Sequence, residues 1–180
     1  MKFENMFTPV TIGPVTVKNR FVVPPMGNNF ANGDGTLSDR SRDYYEARAK
    51  GGFGLVTVEA TVIDKTAKGG PRKPCLYDDS VIPSFKLVAD AVHAWGAKVS
   101  VQLQHAGPEG NAKLAGYPIK APTSIASHTG KDVPKEITAR ELYALIEEYG
   151  DAALRAKKAG FDCVEVHMAH GYLVSSFISQ

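Results

Sequence analysis

Two imidazoles and a phenol, His167, His170 and Tyr172, fall within six consecutive residues, with Gly171 between them. They follow Cys163-Val164-Glu165-Val166, an apolar, β-branched run that reads as a strand. Three groups able to donate hydrogen bonds or protons therefore leave one strand end together. Gly171 permits an unusual backbone turn there. Such a set suits holding an oxygen atom and delivering a proton. A lone histidine is more often a half-buried structural residue; a cluster at a strand end is a stronger signal.

The elements that must hold this corner alternate along the chain. Phe7 to Val17, with Pro9, Gly13 and Pro14, suits a small hairpin or an irregular lead-in. Phe21-Val22-Val23 is a short strand ended by Pro24-Pro25, and Met26-Gly27-Asn28-Asn29 is the loop at its C-terminal end. Ser38 or Asp39 caps a helix that carries Tyr44, Tyr45 and Ala47 towards Lys50, with Gly51 as its stop. Gly54 to Glu59 is the second strand, and Ala60-Thr61 begins its trailing loop. Phe85, Val88, Val92 and Trp95 step by three and four along a second helix that starts at Ser80 or Pro83. Lys98 to Leu103 is the third strand, followed at once by Gln104, His105, Ala106 and Gly107. Thr138 and Glu141 form a capping-box pattern. They open a third helix with Leu142, Leu145, Tyr149, Ala153 and Ala156 on its apolar face, ended by Gly160.

Two long loops interrupt this order. Asp64 to Asp79 carries Lys65, Lys68, Arg72 and Lys73, a charge run that reads as a solvated face. Pro108 to Glu136 is rich in Gly, Pro and Ser, and a loop of that length inside a domain points to function or disorder. With 180 residues the chain fits one domain with a sizeable core, and 43% apolar and 22% charged content suit a soluble globular protein. A net charge of +2 argues against a nucleic-acid partner, which calls for a strongly basic face. Cys75 and Cys163 alone build neither a disulfide framework nor a four-cysteine metal site. Neither a signal-peptide core nor a bilayer-spanning run is present, so the expected setting is cytoplasmic, with no membrane partner.

Strands alternating with helices imply a parallel sheet joined by crossovers, with functional residues at the C-terminal strand ends. Gly51-Gly52-Phe53-Gly54 precedes its strand, so it fails the context of a dinucleotide-binding turn. The expected fold class is therefore α/β, with a barrel favoured over a doubly wound sheet.

Four segments in order resemble the Old Yellow Enzyme family of FMN-dependent oxidoreductases. They are Asn19-Arg20-Phe21-Val22-Val23-Pro24-Pro25-Met26, Asp34 to Asp39, Gln102-Leu103-Gln104-His105-Ala106-Gly107 and His167-Met168-Ala169-His170-Gly171-Tyr172-Leu173. Ala121-Pro122-Thr123-Ser124 resembles part of that family's long third loop, and Pro-Pro-Met-Gly-Asn is similar to the first strand end of its 2,4-dienoyl-CoA reductase-like members. The resemblance implies reduction of the activated C=C bond of an enone, enoate or enoyl-CoA, with NAD(P)H as reductant. It implies that Pro25, Met26 and Gly27 lie against the flavin ring, that Ala60 packs beside it and that Gln102 bonds its pyrimidine edge. His167 and His170 would bind the substrate carbonyl or carboxyl oxygen, and Tyr172 would donate the proton.

Departures stand beside the match. Gly27 replaces the Cys or Thr of several members, Pro108 stands where an Arg often follows His-Ala-Gly, and Gln180 stands where a Pro is common. The resemblance implies a parallel (β/α)8 TIM-type barrel, which needs roughly 250 residues, so that 180 residues supply only about its first four strands. Residues 1–180 are therefore expected to be the N-terminal part of an FMN-binding barrel: a truncated or cleaved piece, or one part of a larger polypeptide, whose activity by itself is an open expectation. Its expected partners are a second copy, as a homo-oligomer, or the missing C-terminal half. Longer relatives add a 4Fe-4S cluster and an FAD domain. Two other readings are a metal-dependent barrel hydrolase with His105, His167 and His170 as ligands and Glu59 as the strand-end carboxylate, and a non-catalytic half-barrel.

Overall fold

The computed structural model describes residues 3–129 and 132–179, so Gln180 lies outside the described residues. The lead-in is a hairpin: β1 (Val10–Ile12) pairs antiparallel with β2 (Val15–Val17). Gly13, at φ +55°, supplies the turn, a conformation open to glycine for want of a Cβ.

Next come β3 (Val22–Val23), α1 (Asp39–Lys50), β4 (Leu55–Val62), α2 (Ile82–His93) and β5 (Lys98–Gln104). Helix α1 starts where its cap allows, the Ser38 side chain accepting from the Ser41 N–H. Helix α2 carries Pro83 in its first turn, where no intrahelical N–H bond is lost. The long loop after β5 contains α3 (Ala112–Ala115) and a two-stranded parallel pair, β6 (Lys120–Ala121) with β7 (Lys135–Glu136). The chain then forms α4 (Ala139–Lys158), β8 (Cys163–Val166) and α5 (Leu173–Ile178). The Thr138–Glu141 capping box that opens α4 is complete, each side chain bonding the other's backbone N–H.

Strands β3, β4, β5 and β8 form one parallel sheet in that order. Sequential parallel pairing with intervening helices is the arrangement of the first half of a (β/α)8 barrel, as the alternation predicts. Val56, Val58, Val99 and Val101 are completely buried in the two central strands. Phe85, Val88 and Val92 of α2 and Leu145, Ala152 and Ala156 of α4 are buried in the same core cluster. Each large apolar side chain so buried contributes about 1.5–3 kcal/mol. Asp162 ties the N-terminal end of the sheet, accepting from Lys98 Nζ (2.8 Å), the Val99 N–H (2.9 Å) and His93 Nε2 (2.7 Å). Burial pushes its pKa up, but these donors outweigh burial and hold it below the ordinary value.

Several boundaries differ from the sequence pattern. Trp95 lies beyond the end of α2, 40% exposed, with its Nε1–H on Glu46 Oε1 (3.1 Å), because the helix stops at His93. Strand β4 runs on to Val62 instead of ending at Glu59, with a register shift against β5 between Val58 and Thr61. An irregularity of this kind re-aims side chains where a strand nears a site. Helix α5 has too few residues to display a helical period in the sequence.

Gly107 is held by two constraints. Its φ is +58°, and a Cβ there would stand 2.6 Å from Leu173 N, at the start of α5. Leu173 N also donates to His105 O (3.1 Å), so the β5 loop and α5 cannot separate to make room without losing that bond. Gly107→Ala is therefore expected to destabilise the fold by about 2–4 kcal/mol, from left-handed strain plus a backbone clash. Urea unfolding measures it, with Gly33→Ala as the comparison: Gly33 has open space at its Cβ position and no positive φ.

Candidate active site

The four C-terminal strand ends meet at one cleft of about 370 Å³. Pro25 and Gly27 come from the end of β3, Ala60 from β4, Gln102 from β5, and His167, His170 and Tyr172 from beyond β8. Met26 is the one expected residue whose side chain is not in the lining; it is 51% exposed. Lys73 and Glu109 also line the cleft, and the sequence reading assigned neither of them. Lys73 belongs to the run expected to be a solvated face. Arg72 and Lys65 are exposed in keeping with that expectation, whereas Lys73 turns inward.

The order of hydrogen bonds sets the proton positions of the histidine pair. The Ala169 N–H donates to His167 Nδ1 (3.2 Å), so neutral His167 carries its proton on Nε2. That nitrogen donates to His170 Nδ1 over 3.4 Å, which leaves the His170 proton on Nε2. The two N–H donors thus come from one compact group, its rings 5.2 Å apart and steeply inclined. The Tyr172 ring stands edge-on to His167 at 4.7 Å. Burial, then the neighbouring His170, lower the His167 pKa, so near neutral pH it is an uncharged donor. His170 itself has φ +62°, a left-handed conformation unusual for a residue with a side chain, and Gly171 follows at φ +74°. Two successive left-handed residues fold His170 back towards His167, the unusual turn expected beside Gly171.

Gln102 is oriented by charge. Its Nε2–H donates to Glu165 Oε1 (2.5 Å), and a carboxylate cannot donate in return, so the amide oxygen is left as an acceptor. One N–H of the amide also remains.

His105 belongs elsewhere. It is 1% exposed, its Nδ1 accepts from the Gly107 N–H (3.0 Å), and it is absent from the cleft lining. Among the described residues no group of three or more His, Cys, Asp or Glu is placed to hold a metal ion. Glu59 is taken up by Lys73 (3.0 Å). The hydrolase ligand set of His105, His167 and His170 is therefore not assembled.

Burial pushes His105 down to about 4 from an ordinary 6.5. Because the folded pKa is the lower one, the unfolded chain takes up the proton first as pH falls. Folding stability is expected to be intact above 6.5 and to fall as the pH drops from 6.5 towards 4. The loss between about pH 7 and about pH 5 should be on the order of 2 kcal/mol. Denaturant unfolding at the two pH values, compared with His105→Gln lacking this step, measures it.

The sequence profile of the NADH:flavin oxidoreductase / NADH oxidase family matches residues 5–180. The chain belongs to that family. An NADH oxidase of Thermoanaerobacter brockii is 40% identical over 181 residues, covering 98% of this chain and 28% of the relative. An NADPH dehydrogenase of Listeria monocytogenes serotype 4b (strain CLIP80459) is 39% identical over 177 residues, covering 98% of this chain and 52% of the relative. The crystal structure of Old Yellow Enzyme from Pichia sp. AKU4542 superposes with a TM-score of 0.90 at 31% identity, covering 98% of this chain and 49% of that one. The chain spans about half the length of the NADPH dehydrogenase and of the Old Yellow Enzyme, and less of the NADH oxidase. The fold is that of the first half of their flavin barrel.

The cleft suits the flavin ring of FMN on its own chemistry. A planar ring with apolar faces needs small, flat neighbours, and Pro25, Gly27 and Ala60 provide them. Its pyrimidine edge presents both donors and acceptors, and Gln102 retains one of each.

Proposed function

We propose that residues 1–180 furnish the N-terminal part of an FMN-binding barrel that reduces an activated C=C bond with NAD(P)H. The observation that carries this reading is the convergence of Pro25, Gly27, Ala60, Gln102, His167, His170 and Tyr172 on one cleft from four strand ends. Family membership supports the cofactor, and the cleft chemistry supports the substrate class.

Pro25, Gly27, Ala60 and Gln102 would hold the FMN ring, which when bound supplies hydride to the β-carbon of the alkene. The chain's own residues do the rest. His167 and His170 bind the carbonyl oxygen through their ring N–H groups, and these bonds strengthen as negative charge develops on that oxygen. The oxygen takes up the His167 Nε2–H in place of its long contact to His170 Nδ1, and the His170 ring turns to bring its own Nε2–H to the same oxygen. Tyr172 protonates the α-carbon and completes the addition. An enone, an enoate and an enoyl thioester all present the oxygen that this pair requires. A reducing, cytoplasmic setting accords with the free thiols of Cys75 and Cys163; no helix of the described residues is long and apolar enough to cross a membrane.

The test is an anaerobic pair of half-reactions on the FMN-loaded protein. NAD(P)H should bleach the flavin absorbance. Added 2-cyclohexen-1-one should then restore it, with cyclohexanone formed in equal amount. Bleaching without restoration by any enone, enoate or enoyl thioester would remove the substrate class.

A further inference from the structure

Gly27 leaves room that a side chain from another element occupies. A Cβ at Gly27 would lie 3.0 Å from Lys73 Nζ and 3.7 Å from Glu59 Oε2. Lys73 reaches this place from the long loop after β4, and its ammonium is bonded to Glu59 Oε2 at 3.0 Å. The Glu59 side chain is 1% exposed and that of Lys73 23%. Glu59 is braced behind it: Oε1 accepts from the Asn28 N–H (3.3 Å), and the Glu59 N–H donates to Tyr45 Oη (2.9 Å). Tyr45 Oη also accepts from Asn28 Nδ2 (3.2 Å). Lys73 lines the cleft, whereas Glu59 does not. The pair therefore presents its positive end to whatever the cleft holds, beside Gly27 and next in space to the strand that bears Ala60.

We propose that Lys73 is a positioning residue of the flavin site, a fixed cation that favours the reduced form of FMN bound in this cleft. The inference rests on the FMN reading above. Two-electron reduction by NAD(P)H leaves the cofactor more negative than before, and a nearby ammonium in a partly desolvated wall stabilises that charge. Glu59 sets the strength of the effect, because it neutralises part of the ammonium's field while holding it in place. The two members of the pair therefore act with opposite sign.

That opposition supplies the test. The ratio of oxidised to reduced FMN is read spectroscopically at a fixed solution potential, set by a reference dye, on the FMN-loaded protein. Lys73→Met should move the ratio on the order of tenfold towards oxidised FMN, and Glu59→Gln should move it towards reduced FMN. Lys73→Arg keeps the charge and should stay within about twofold of the parent. Arg72→Met, an exposed neighbour in the same loop, should leave the ratio unchanged. Should Lys73→Met not fold, a Glu59→Gln shift towards reduced FMN still supports the proposal, and its absence overturns it. An unchanged ratio in Lys73→Met, or equal shifts in one direction from both variants, also overturns it while leaving the FMN site standing. A parent protein joined to the C-terminal half of the barrel that still retains no FMN overturns both readings.

Discussion

Tyr172→Phe in the FMN-loaded protein is expected to slow alkene reduction by about 10²–10⁴-fold, the usual span for loss of a positioned proton donor. Flavin reduction by NAD(P)H should be untouched, since that half-reaction requires no proton at the alkene α-carbon. The separation is clean because the substitution removes one hydroxyl and keeps the ring. The Tyr172 ring packs edge-on to His167 at 4.7 Å, a contact phenylalanine can keep. Its backbone starts α5 without any side-chain cap, so the hydroxyl does not hold the helix. Anaerobic stopped-flow measurement of each half-reaction reads the two rates separately. Alkene turnover equal to that of the parent would remove Tyr172 from the proton-donor role.

The second large effect concerns the histidine pair. His167→Ala is expected to lower the rate of alkene reduction by about 10²–10³-fold through loss of a donor to the developing oxyanion. It should also weaken binding of saturated carbonyl ligands while FMN stays bound. His170→Ala should act in the same direction. His170 is the exposed member of the pair, held by two left-handed residues, whereas His167 is buried and anchored by the Ala169 N–H. Ligand titration followed through the flavin spectrum, with FMN retention measured on the same sample, checks both halves. Loss of FMN together with carbonyl affinity would mean that the pair holds the cofactor instead of the substrate. Because burial and His170 depress the His167 pKa, its neutral form should persist below the pH at which a free histidine protonates. Affinity for carbonyl ligands should therefore show no His167 titration step at an ordinary histidine pKa.

Much of this site is legible in the residues alone because parallel α/β folds deliver function to strand ends. Finding the four strands was enough to place Pro25, Gly27, Ala60, Gln102 and the His167–Tyr172 group together. The local signals were strong where capping or periodicity speaks, as at Ser38, at Thr138 with Glu141, and along Phe85, Val88 and Val92. They were silent where the third dimension decides. Lys73 looks like one more cation in a basic loop, and only the packing of that loop against β4 brings it to Glu59. The register shift between Val58 and Thr61 has no glycine or proline to announce it. The family resemblance marks Gln102 as the amide for the flavin's polar edge. Its orientation depends on Glu165, 63 residues away in sequence and adjacent only through the pairing of β5 with β8. His105 shows the reverse error, since the sequence offers it as a third ligand and burial against the Gly107 N–H withdraws it.

The most direct check of the account is a crystal structure of the protein with FMN bound. The account predicts a flavin ring lying against Pro25, Gly27 and Ala60. Its pyrimidine edge should be bonded to the Gln102 amide, and its open face turned towards His167, His170 and Tyr172. A ring seated outside this cleft, or one that leaves Gln102 bonded to Glu165 alone, would contradict it.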